Sequence, residues 1–484
     1  MKPWTLTIPE AMHERLHGHL FPGDGDEHGA VLLAGVERRP DGQLRLLARE
    51  LALAVDGTDY VPGRHGYRML RAEFLQPYAL KARDESLAYL AIHNHAGRGN
   101  VAFSGDDLAS QRRGYPALLT LTKQPVGALV FSQDTVAGNL YVQASAASEL
   151  ASCTVVGRNR VELVSGQRSS PRRADPMRDR QALLLGDAGL ALLRTLRVGV
   201  IGAGGVGSVV VELLARLGVG TIVVADPERV AISNLSRLLG ARGLDALSLL
   251  THPSRPAWVR RLAEGFARTK VSLAKRNARR ANPAGAIIPI VGDITDPDVA
   301  AAFVSCDYVF LAADSMQARL VFNALVHQYL IPGVQMGSKA PVDRKTGMLG
   351  EVFSVCRPVT PDRGCLWCNE LIPASKLQNE IHTPAERKAQ RYVDDDEIAA
   401  PSVVTLNAVT AAHAVNDFLF YAAGLTHATA ITDYRRFIAR SRDVRFDEPQ
   451  ALASCLDCGD HEPSRLARGD AAELPTKERR RACG

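Results

Sequence analysis

The chain has 484 residues, of which 46% are hydrophobic and 23% charged, and a formal net charge of +6. This length allows several domains, each with its own core, and the composition excludes a disordered or fibrous chain. No apolar run approaches the roughly 20 residues of a membrane span, and the chain starts without a secretory signal, so we predict a cytoplasmic protein without membrane contact. The basic clusters at 255–280 and 477–481 are better explained as a solvated helix face and a tail than as a nucleic-acid site.

The first third of the chain alternates strand-like apolar runs with short helical or loop stretches. This pattern predicts a mixed sheet with flanking helices over residues 1–156. The predicted strands cover 30–36, 44–55, 87–92 and 126–131.

A histidine pair follows the third of these strands. His93 and His95 are separated by one residue, and the loop after them carries adjacent carboxylates at Asp106 and Asp107. Two imidazoles and a carboxylate are the ligands of a catalytic zinc whose fourth position stays open to water. Upstream, Glu27 precedes an apolar strand and could accept the proton of that water.

This set of residues resembles the JAMM/MPN metalloproteases, which cleave peptide or isopeptide bonds after the C-terminal glycine of ubiquitin-like proteins. The resemblance favours Asp107 as the ligand, although a spacing one residue longer than in much of that family leaves Asp106 as the alternative. A binding module without activity is the other interpretation. The resemblance implies zinc ligation by His93, His95 and Asp107, a general base in Glu27 and an oxyanion contact from Ser104.

Residues 157–177 are polar and lack apolar periodicity, which predicts a linker. Beyond them, strands alternate with helix-like segments, as in a parallel sheet built from crossover units. A further region over 332–447 is predicted to continue this sheet. The four predicted parallel strands are 197–201, 221–225, 286–291 and 308–312.

A glycine-rich turn connects the first parallel strand to the apolar helix 209–217. Such a turn brings backbone N–H groups and the positive end of a helix against a phosphate chain. Asp226 ends the next strand, where a carboxylate can accept hydrogen bonds from a ribose. These features alone predict a nucleotide site and are compatible with an NAD enzyme. The glycines of the turn are Gly202, Gly204, Gly205 and Gly207.

The residues after the second strand favour ATP over NAD. Asn234 and Arg237 lie at the end of the sheet where ligands bind, and hydride transfer has no need of an arginine there. Attack of a carboxylate on the α-phosphate does need one, because negative charge must be held in line while pyrophosphate leaves. Further on, Lys270 opens a predicted helix over 270–281, and Asp314 follows a strand at a position suited to Mg²⁺.

Together these motifs, over 178–459, resemble the adenylation domain of the ThiF/MoeB/ubiquitin-activating enzyme family. The resemblance implies a homodimer, because the family's Arg-Gln pair, here Arg180 and Gln181, reaches into the partner subunit's site. The stretch 238–268 is about twenty residues longer than the family usually has, so a surface lysine is the alternative for Lys270. The implied roles are phosphate contacts by Arg180, Arg237 and Lys270, a ribose contact by Asp226, and Mg²⁺ binding by Asp314 near Arg319.

Four of the eight cysteines form two C-x-x-C pairs, Cys365 with Cys368 and Cys455 with Cys458. In a reducing compartment such pairs indicate metal, and the four thiolates could hold one structural zinc. A redox pair is the competing interpretation, but neither pair sits at the start of a helix after a strand, which would lower a thiol pKa.

The sequence therefore predicts an α/β protein with two domains. The first is a mixed-sheet JAMM/MPN-like domain at 1–156, and a linker follows at 157–177. The second is a Rossmann-like, mostly parallel-sheet adenylation domain with a zinc knuckle at 178–464, followed by a flexible tail at 465–484. Its cofactors would be ATP, Mg²⁺ and two Zn²⁺ ions.

Both halves then favour one substrate, a ubiquitin-like protein that is adenylated at its terminal glycine and processed or removed by the protease, with a conjugating enzyme as a further partner. No cysteine lies between Cys368 and Cys455, so a thioester would need another thiol, such as Cys356 or Cys483. The alternatives are activation of a sulfur-carrier protein for cofactor or cysteine synthesis, and a regulatory nucleotide-binding module or an adenylator of a non-protein substrate such as RNA.

Overall fold

The computed structural model of the chain describes residues 2–61, 68–163, 176–342, 346–381, 401–426 and 433–477. The chain divides into two compact units. The first consists of Met1–Ser169, His327–Leu330 and Leu452–Glu473, and the second of Ser170–Val326, Ile331–Ala451 and Leu474–Gly484.

The first unit is built on a sheet that, in the described residues, has eight strands in the order β1-β3-β2-β4-β5-β6-β7-β8. An additional pairing of β1 with β7 joins strands from the two ends of this order. The elements are β1 (Trp4–Pro9), α1 (Glu10–Leu20), β2 (Gly29–Arg38), β3 (Leu44–Leu53), α2 (Ala72–Asp84), β4 (Ala88–Asn94), α3 (Gly105–Thr122), β5 (Val126–Phe131), β6 (Val136–Gln143), β7 (Ala146–Val156) and β8 (Arg160–Leu163).

Both faces of this sheet are buried. Side chains alternate between the faces of a strand, so Leu32 of β2 joins the core that includes α1, whereas Val31 and Leu33 join a second core beside α2 and α3. Burial on both sides explains why β2 reads as a nearly continuous apolar run.

In its described residues, the second unit contains another eight-stranded sheet, in the order β11-β10-β9-β12-β13-β14-β15-β16. The first five strands are parallel and the last three pairings are antiparallel. The elements after residue 176 are α4 (Asp179–Thr195), β9 (Arg197–Ile201), α5 (Gly205–Leu217), β10 (Thr221–Ala225), α6 (Ser248–Thr251), α7 (Ala257–Phe266), α8 (Lys270–Ala281), β11 (Ala286–Ile290), α9 (Pro297–Ala301), β12 (Tyr308–Leu311), α10 (Met316–Gln328), β13 (Gly333–Lys339), β14 (Phe353–Val359), α11 (Ala374–Ile381), α12 (Val404–Ala423), β15 (Tyr434–Ile438) and β16 (Asp443–Asp447).

The order of the parallel strands determines where a ligand can bind. The chain moves outward from β9 to β10 and β11, and then returns to place β12 on the other side of β9. Crevices at the carboxyl ends of the strands open at such a reversal. The glycine turn follows β9 and the Asp314 loop follows β12, so both lie at this point. The core beneath them is formed by apolar side chains from α5, α8, α12 and the sheet.

The mixed α/β class and the parallel sheet are confirmed, and the predicted strands 197–201 and 221–225 coincide with β9 and β10. The region predicted to continue the sheet contributes β13 to β16. At the N-terminus, the predicted strand 126–131 coincides with β5, whereas the sequence pattern did not single out β1, β6 or β7.

Two boundaries differ from the sequence prediction. The predicted linker contains β8, in which Val161 pairs with Val155 of β7, and residues 164–175 lie outside the described residues. The predicted tail from 465 onward contains a segment that packs within the first unit. Ala467 is fully buried, and Gly469 forms a bridge to Val36.

That segment is also held by charges within the first unit. The guanidinium groups of Arg49 and Arg468 both pair with Glu462, Arg49 at 2.7 Å, and Asp470 accepts a hydrogen bond from the backbone N–H of Arg38 at 2.8 Å. A polar sequence therefore becomes ordered through specific partners rather than through an apolar face. Residues 478–484 of the predicted tail lie outside the described residues.

No helix among the described residues has the length and apolar character needed to cross a membrane.

Candidate functional site

The residues of the predicted zinc site lie at one end of the sheet of the first unit. β4 pairs with β2 so that His93 lies opposite Gly29, two residues after Glu27. Asp107 is in the first turn of α3, which follows the loop after β4. The sheet register therefore brings together a loop, a strand end and a helix start that are distant in sequence.

The distances in this cluster fit a metal. The Nε2 atoms of His93 and His95 are 3.3 Å apart, and the Asp107 carboxylate oxygens lie 3.4 and 3.5 Å from them. Ligands at about 2.0–2.1 Å from a tetrahedral zinc are separated by about 3.3 Å. The three side chains thus form a group that could hold a metal ion, with one tetrahedral position left over. Glu27 lies at the rim, 4.0 Å from His95.

The start of α3 fixes the orientation of Asp107. Ser104 caps the helix: its hydroxyl accepts from the Asp107 N–H at 3.1 Å and donates to the Asp107 carboxylate at 2.7 Å. Asp106, the alternative ligand, is exposed, whereas Asp107 faces both imidazoles. In this geometry Ser104 positions the carboxylate, and its contact with an oxyanion stays a prediction.

The surroundings shift the pKa values of this cluster in the directions that its chemistry requires. Burial raises the pKa of Asp107, but hydrogen bonds from His93 and Ser104 outweigh burial and hold that pKa below its usual value. Burial and the neighbouring His93 lower the pKa of His95, which favours the neutral imidazole that binds metal. Burial raises the pKa of Glu27, as expected of a proton acceptor in a partly enclosed site.

Sequence reasoning missed the residues that support Glu27. The backbone N–H of His28 donates to the Asn94 side chain at 2.6 Å, and the buried His28 ring contacts the Asp24 carboxylate at 2.9 Å. These contacts tie the segment before β2 to the end of β4. One sequence signal could have indicated Asn94: it lies on β4 between His93 and His95, so its side chain points to the opposite face of the strand.

The glycine turn of the second unit has little room for side chains. Gly202 has a φ of +93°, which favours glycine. A Cβ on Gly207 would lie 1.9 Å from the Gly202 carbonyl oxygen, because α5 starts directly against the end of β9. This close approach leaves the first turn of the helix facing the carboxyl edge of the sheet, where it can receive a phosphate.

Replacing Gly207 by Ala is expected to destabilise the second unit by about 1–3 kcal/mol, because helix and turn must separate to admit the methyl group. The measurement is the midpoint of thermal unfolding. Gly204→Ala is the matched control, since a Cβ at Gly204 meets no heavy atom within 4 Å. Equal midpoints for the two variants would contradict the close packing at Gly207.

Lys270 is a buried cation beside the turn, not the surface lysine of the alternative interpretation. Its side chain is 9% exposed, and its ammonium group pairs with the carboxylate of Glu228. Asp226 is also buried and accepts N–H groups of Ala203 and Glu228 at 2.8 Å each. Burial raises the pKa of Asp226, and the positive charge of Lys270 opposes this shift. Two carboxylates and one ammonium group therefore gather at the end of β10.

Asn234 and Arg237 have different structural roles. Asn234 is buried, and its side-chain oxygen accepts the N–H of Ala231 at 3.1 Å, so it shapes the loop after β10. Arg237 lies beside the turn, 3.6 Å from the position of a Cβ on Gly205. Its guanidinium makes only a long contact, 3.4 Å, to the Ser233 carbonyl among the hydrogen bonds of the described residues. This arginine is therefore able to bind an anion.

Asp314 is exposed at the end of β12, as expected of a carboxylate that shares Mg²⁺ with phosphates. The next helix, α10, is capped by Glu380 of α11, whose carboxylate oxygens accept the N–H groups of Met316 and Gln317 at 2.8 and 3.0 Å. Arg319 donates to the Leu371 carbonyl at 2.7 Å. Glu380 belongs to no motif, so this contact could not be predicted from the sequence.

Asn407 is a second residue near the glycine turn that the sequence did not indicate. It is buried on α12, where a Cβ on Gly205 would lie 2.3 Å from its Nδ2 atom. Its side chain accepts from the Ser338 hydroxyl at 2.9 Å and donates to the Ser402 hydroxyl at 3.1 Å. Asn407 thus braces the glycine turn against the end of β13.

Arg180 and Gln181 lie in the first turn of α4. The Gln181 amide donates to the carbonyl of Arg216, the residue before the last of α5, at 3.1 Å. α4 is therefore attached to the end of α5 opposite the glycine turn. The contribution of Arg180 to a partner subunit's site stays a prediction.

The cysteine pairs form local turns. In the second unit, the sulfurs of Cys365 and Cys368 are 3.6 Å apart, close to the separation of about 3.8 Å for two thiolates on one tetrahedral zinc. In the first unit, the Cys455 carbonyl accepts the Gly459 N–H at 3.0 Å, and its sulfur accepts the Asp457 N–H at 3.4 Å. All four cysteines are among the side chains that could hold a metal ion.

Of the two cysteines considered as thioester acceptors, Cys356 is buried in the second unit. Cys356 is 2% exposed, and its thiol contacts the Thr410 carbonyl at 3.5 Å. Burial raises the pKa of this thiol to about 12, so it is neither accessible nor nucleophilic. Cys483 lies outside the described residues.

Proteins with sequence similarity to this chain include two from bacteria and one from Caenorhabditis elegans. The tRNA threonylcarbamoyladenosine dehydratase of Escherichia coli (strain K12) is 28% identical over 158 residues, 32% of this chain and 51% of that protein. The sulfur carrier protein ThiS adenylyltransferase of Bacillus subtilis (strain 168) is 27% identical over 184 residues, 38% of this chain and 46% of that protein. The ubiquitin-like modifier-activating enzyme 5 of Caenorhabditis elegans is 48% identical over 46 residues, 10% of this chain and 11% of that protein.

The chain spans about half the length of the first of these relatives. The family model described as "ThiF family" matches residues 178–453, which is more than half of the chain and includes the glycine turn, Lys270 and Asp314. The chain therefore belongs to the ThiF family.

Proposed function

We propose that the second unit adenylates the C-terminal carboxylate of a ubiquitin-like protein. The observation that carries this proposal is the buried ammonium group of Lys270 at the end of β10, together with Arg237 beside the glycine turn. These cations can hold the phosphates of ATP while the substrate carboxylate attacks the α-phosphorus. The bond to the β-phosphate oxygen then breaks, and pyrophosphate leaves.

The other residues of the site would support this reaction. Asp314 would share Mg²⁺ with the phosphates, and Asp226 would accept hydrogen bonds from the ribose. As an activating enzyme of this type, the protein would act as a homodimer that supplies Arg180 across its interface and would hand the activated protein to a conjugating enzyme.

We infer for the first unit a metallopeptidase activity of the JAMM/MPN type. His93, His95 and Asp107 would hold a zinc ion. Such an ion, when bound, would polarise a water molecule and the substrate carbonyl. Glu27 would accept the proton of the attacking water and deliver it to the leaving amine. The support for this inference is the separation of the three ligands, which matches the edge of a tetrahedral zinc site.

A second zinc ion would be structural and would be held by the two C-x-x-C pairs. The support is the short distance between the Cys365 and Cys368 sulfurs and the two thiolates that each pair offers. Metal analysis of the purified protein would then find two zinc ions per chain, and one per chain in His93→Ala.

Activation of a sulfur-carrier protein is the second candidate function. The similarity to the ThiS adenylyltransferase covers more of the chain than the similarity to the ubiquitin-like modifier-activating enzyme. The burial of Cys356 also disfavours a thioester at that thiol. The two functions share the adenylation step and differ in the fate of the adenylate.

Pyrophosphate exchange tests the adenylation step. We expect ATP and Mg²⁺ to exchange labelled pyrophosphate only when a small ubiquitin-fold protein ending in glycine is present, because the reverse reaction needs the acyl-adenylate. Candidates are the small proteins encoded beside this gene, and each is compared with its own variant that lacks the terminal glycine. Absence of exchange with every candidate would contradict both functions, whereas a thiocarboxylate product instead of a conjugate would select the second.

A further inference from the structure

The segment between Arg237 and Lys270 exposes large apolar side chains in the second unit. On α7, Trp258 is 71% exposed and Phe266 75%. Exposed clusters of this kind mark interaction sites in stable proteins. We call this set the α6–α7 surface, and it consists of Leu244, Leu249, Leu250, Trp258, Leu262 and Phe266.

Helix α7 carries its large side chains on the outside. Trp258, Leu262 and Phe266 are spaced by four residues and therefore share one face. The buried positions are the small Ala263 and, directly after the helix, Ala267. A helix that only packs on its own domain has the opposite arrangement, with large apolar residues inward. The outward face of α7 is therefore available to a partner.

The base of the segment is rigid. The Asp245 carboxylate pairs with Arg268 at 2.8 Å and with Arg276 of α8 at 2.6 Å. The Arg268 N–H donates to the Asp245 carbonyl at 2.9 Å, and the Lys270 N–H donates to the Glu228 carbonyl at 3.0 Å. The α6–α7 surface is thus fixed relative to Lys270, so a partner bound to it would be held at a defined distance from the adenylation site.

The charges around the surface select the kind of partner. Arg255 donates to the Leu249 carbonyl at 3.0 Å, and in the part of the chain that the structure describes no carboxylate pairs with Arg255 or with Arg261, which is exposed on α7. Glu264 is the acidic residue on α7. A second copy of the chain would oppose arginines to arginines, whereas a partner with carboxylates around an apolar patch would complement them.

We propose that the α6–α7 surface docks the protein substrate of the adenylation site, through an apolar patch on that protein bordered by carboxylates. This inference rests on the proposed function. In it, the α6–α7 surface recognises the folded body of the substrate, whereas the adenylation site receives its glycine tail.

The test compares the double variant Trp258→Ala/Phe266→Ala with the wild type. In pyrophosphate exchange with the candidate proteins, the KM for the protein should rise by about tenfold or more, because apolar anchors contribute most of the binding energy of an interface. The KM for ATP and kcat should stay unchanged. Phe446→Ala is the matched control, because Phe446 of β16 is also exposed, at 53%. Arg261→Glu should raise the same KM, because Arg261 is exposed on α7.

Direct binding of the same proteins, measured by calorimetry, separates this inference from the proposed function. Exchange with an unchanged KM in the double variant would overturn the docking inference and leave adenylation standing. Saturable binding without exchange, lost in the double variant, would support docking and contradict adenylation. Neither binding nor exchange with any candidate would overturn both. Binding of the wild type to vesicles of phosphatidylcholine and phosphatidylglycerol, lost in the double variant, would assign the surface to a membrane and overturn docking of a protein.

Discussion

Replacing Glu27 by Gln is expected to reduce peptide-bond cleavage by about 10²–10⁴-fold while the zinc content stays unchanged. The amide keeps the size of the side chain but cannot accept a proton from water, and Glu27 is not among the three groups whose distances fit zinc. The substrate is a linear fusion of the ubiquitin-like protein to a reporter, and cleavage is followed by electrophoresis. Zinc is measured on the same preparations by mass spectrometry.

Variants of the ligands should behave differently from Glu27→Gln. His93→Ala should lose both zinc and cleavage, and so should Asp107→Asn. Asp106→Asn is the matched control for the second of these, because Asp106 is the adjacent carboxylate and is exposed. Normal cleavage by Glu27→Gln would contradict the assignment of Glu27 as the general base. Loss of zinc in Asp106→Asn but not in Asp107→Asn would reverse the choice of ligand.

Replacing Lys270 by Ala is expected to reduce pyrophosphate exchange by about 10²–10³-fold, the usual effect of removing one group that stabilises charge in a transition state. The ammonium group is buried next to Asp226 and Glu228, so its removal also leaves two carboxylates facing the phosphates. We therefore expect a higher KM for ATP together with a lower kcat. Initial rates of exchange at varied ATP concentrations measure both.

Lys275→Ala is the matched control for Lys270, because both lysines lie on α8 and only Lys270 contacts the carboxylates after β10. Thermal unfolding of both variants shows whether the fold is intact. If Lys270→Ala retains normal exchange, the buried lysine is structural, and Arg237 remains as the candidate for the phosphate contact.

The sequence indicated those parts of the site that depend on local patterns. The glycine turn could be located because a turn between a strand and a helix needs glycine at Gly202 and Gly207. The pairing of His93 with His95 at the end of a strand, followed by Asp107, likewise predicted a cluster that the structure brings within ligand distances. The length of 238–268 made Lys270 doubtful, but the structure buries this lysine because the segment loops out and returns before α8.

Contacts between distant segments could not be predicted in this way. Glu380 and Asn407 reach the candidate site of the second unit from α11 and α12, and neither belongs to a motif or an apolar period. The pairing of β1 with β7 joins strands more than 140 residues apart, as with Trp4 and Leu150. Such contacts depend on the assembled sheet, whereas sequence patterns report only on neighbours along the chain.

The first unit is assembled from three separate segments of the chain, and this affects when it can fold during synthesis on the ribosome. Its last segment, Leu452–Glu473, is made after nearly all of the second unit, and it supplies Gly469 to Val36 and Glu462 to Arg49. A nascent chain therefore exposes Val36 and Arg49 without these partners until Leu452–Glu473 has been synthesised. The first unit would therefore complete its fold only after most of the second unit has been synthesised, although most of its own residues emerge first.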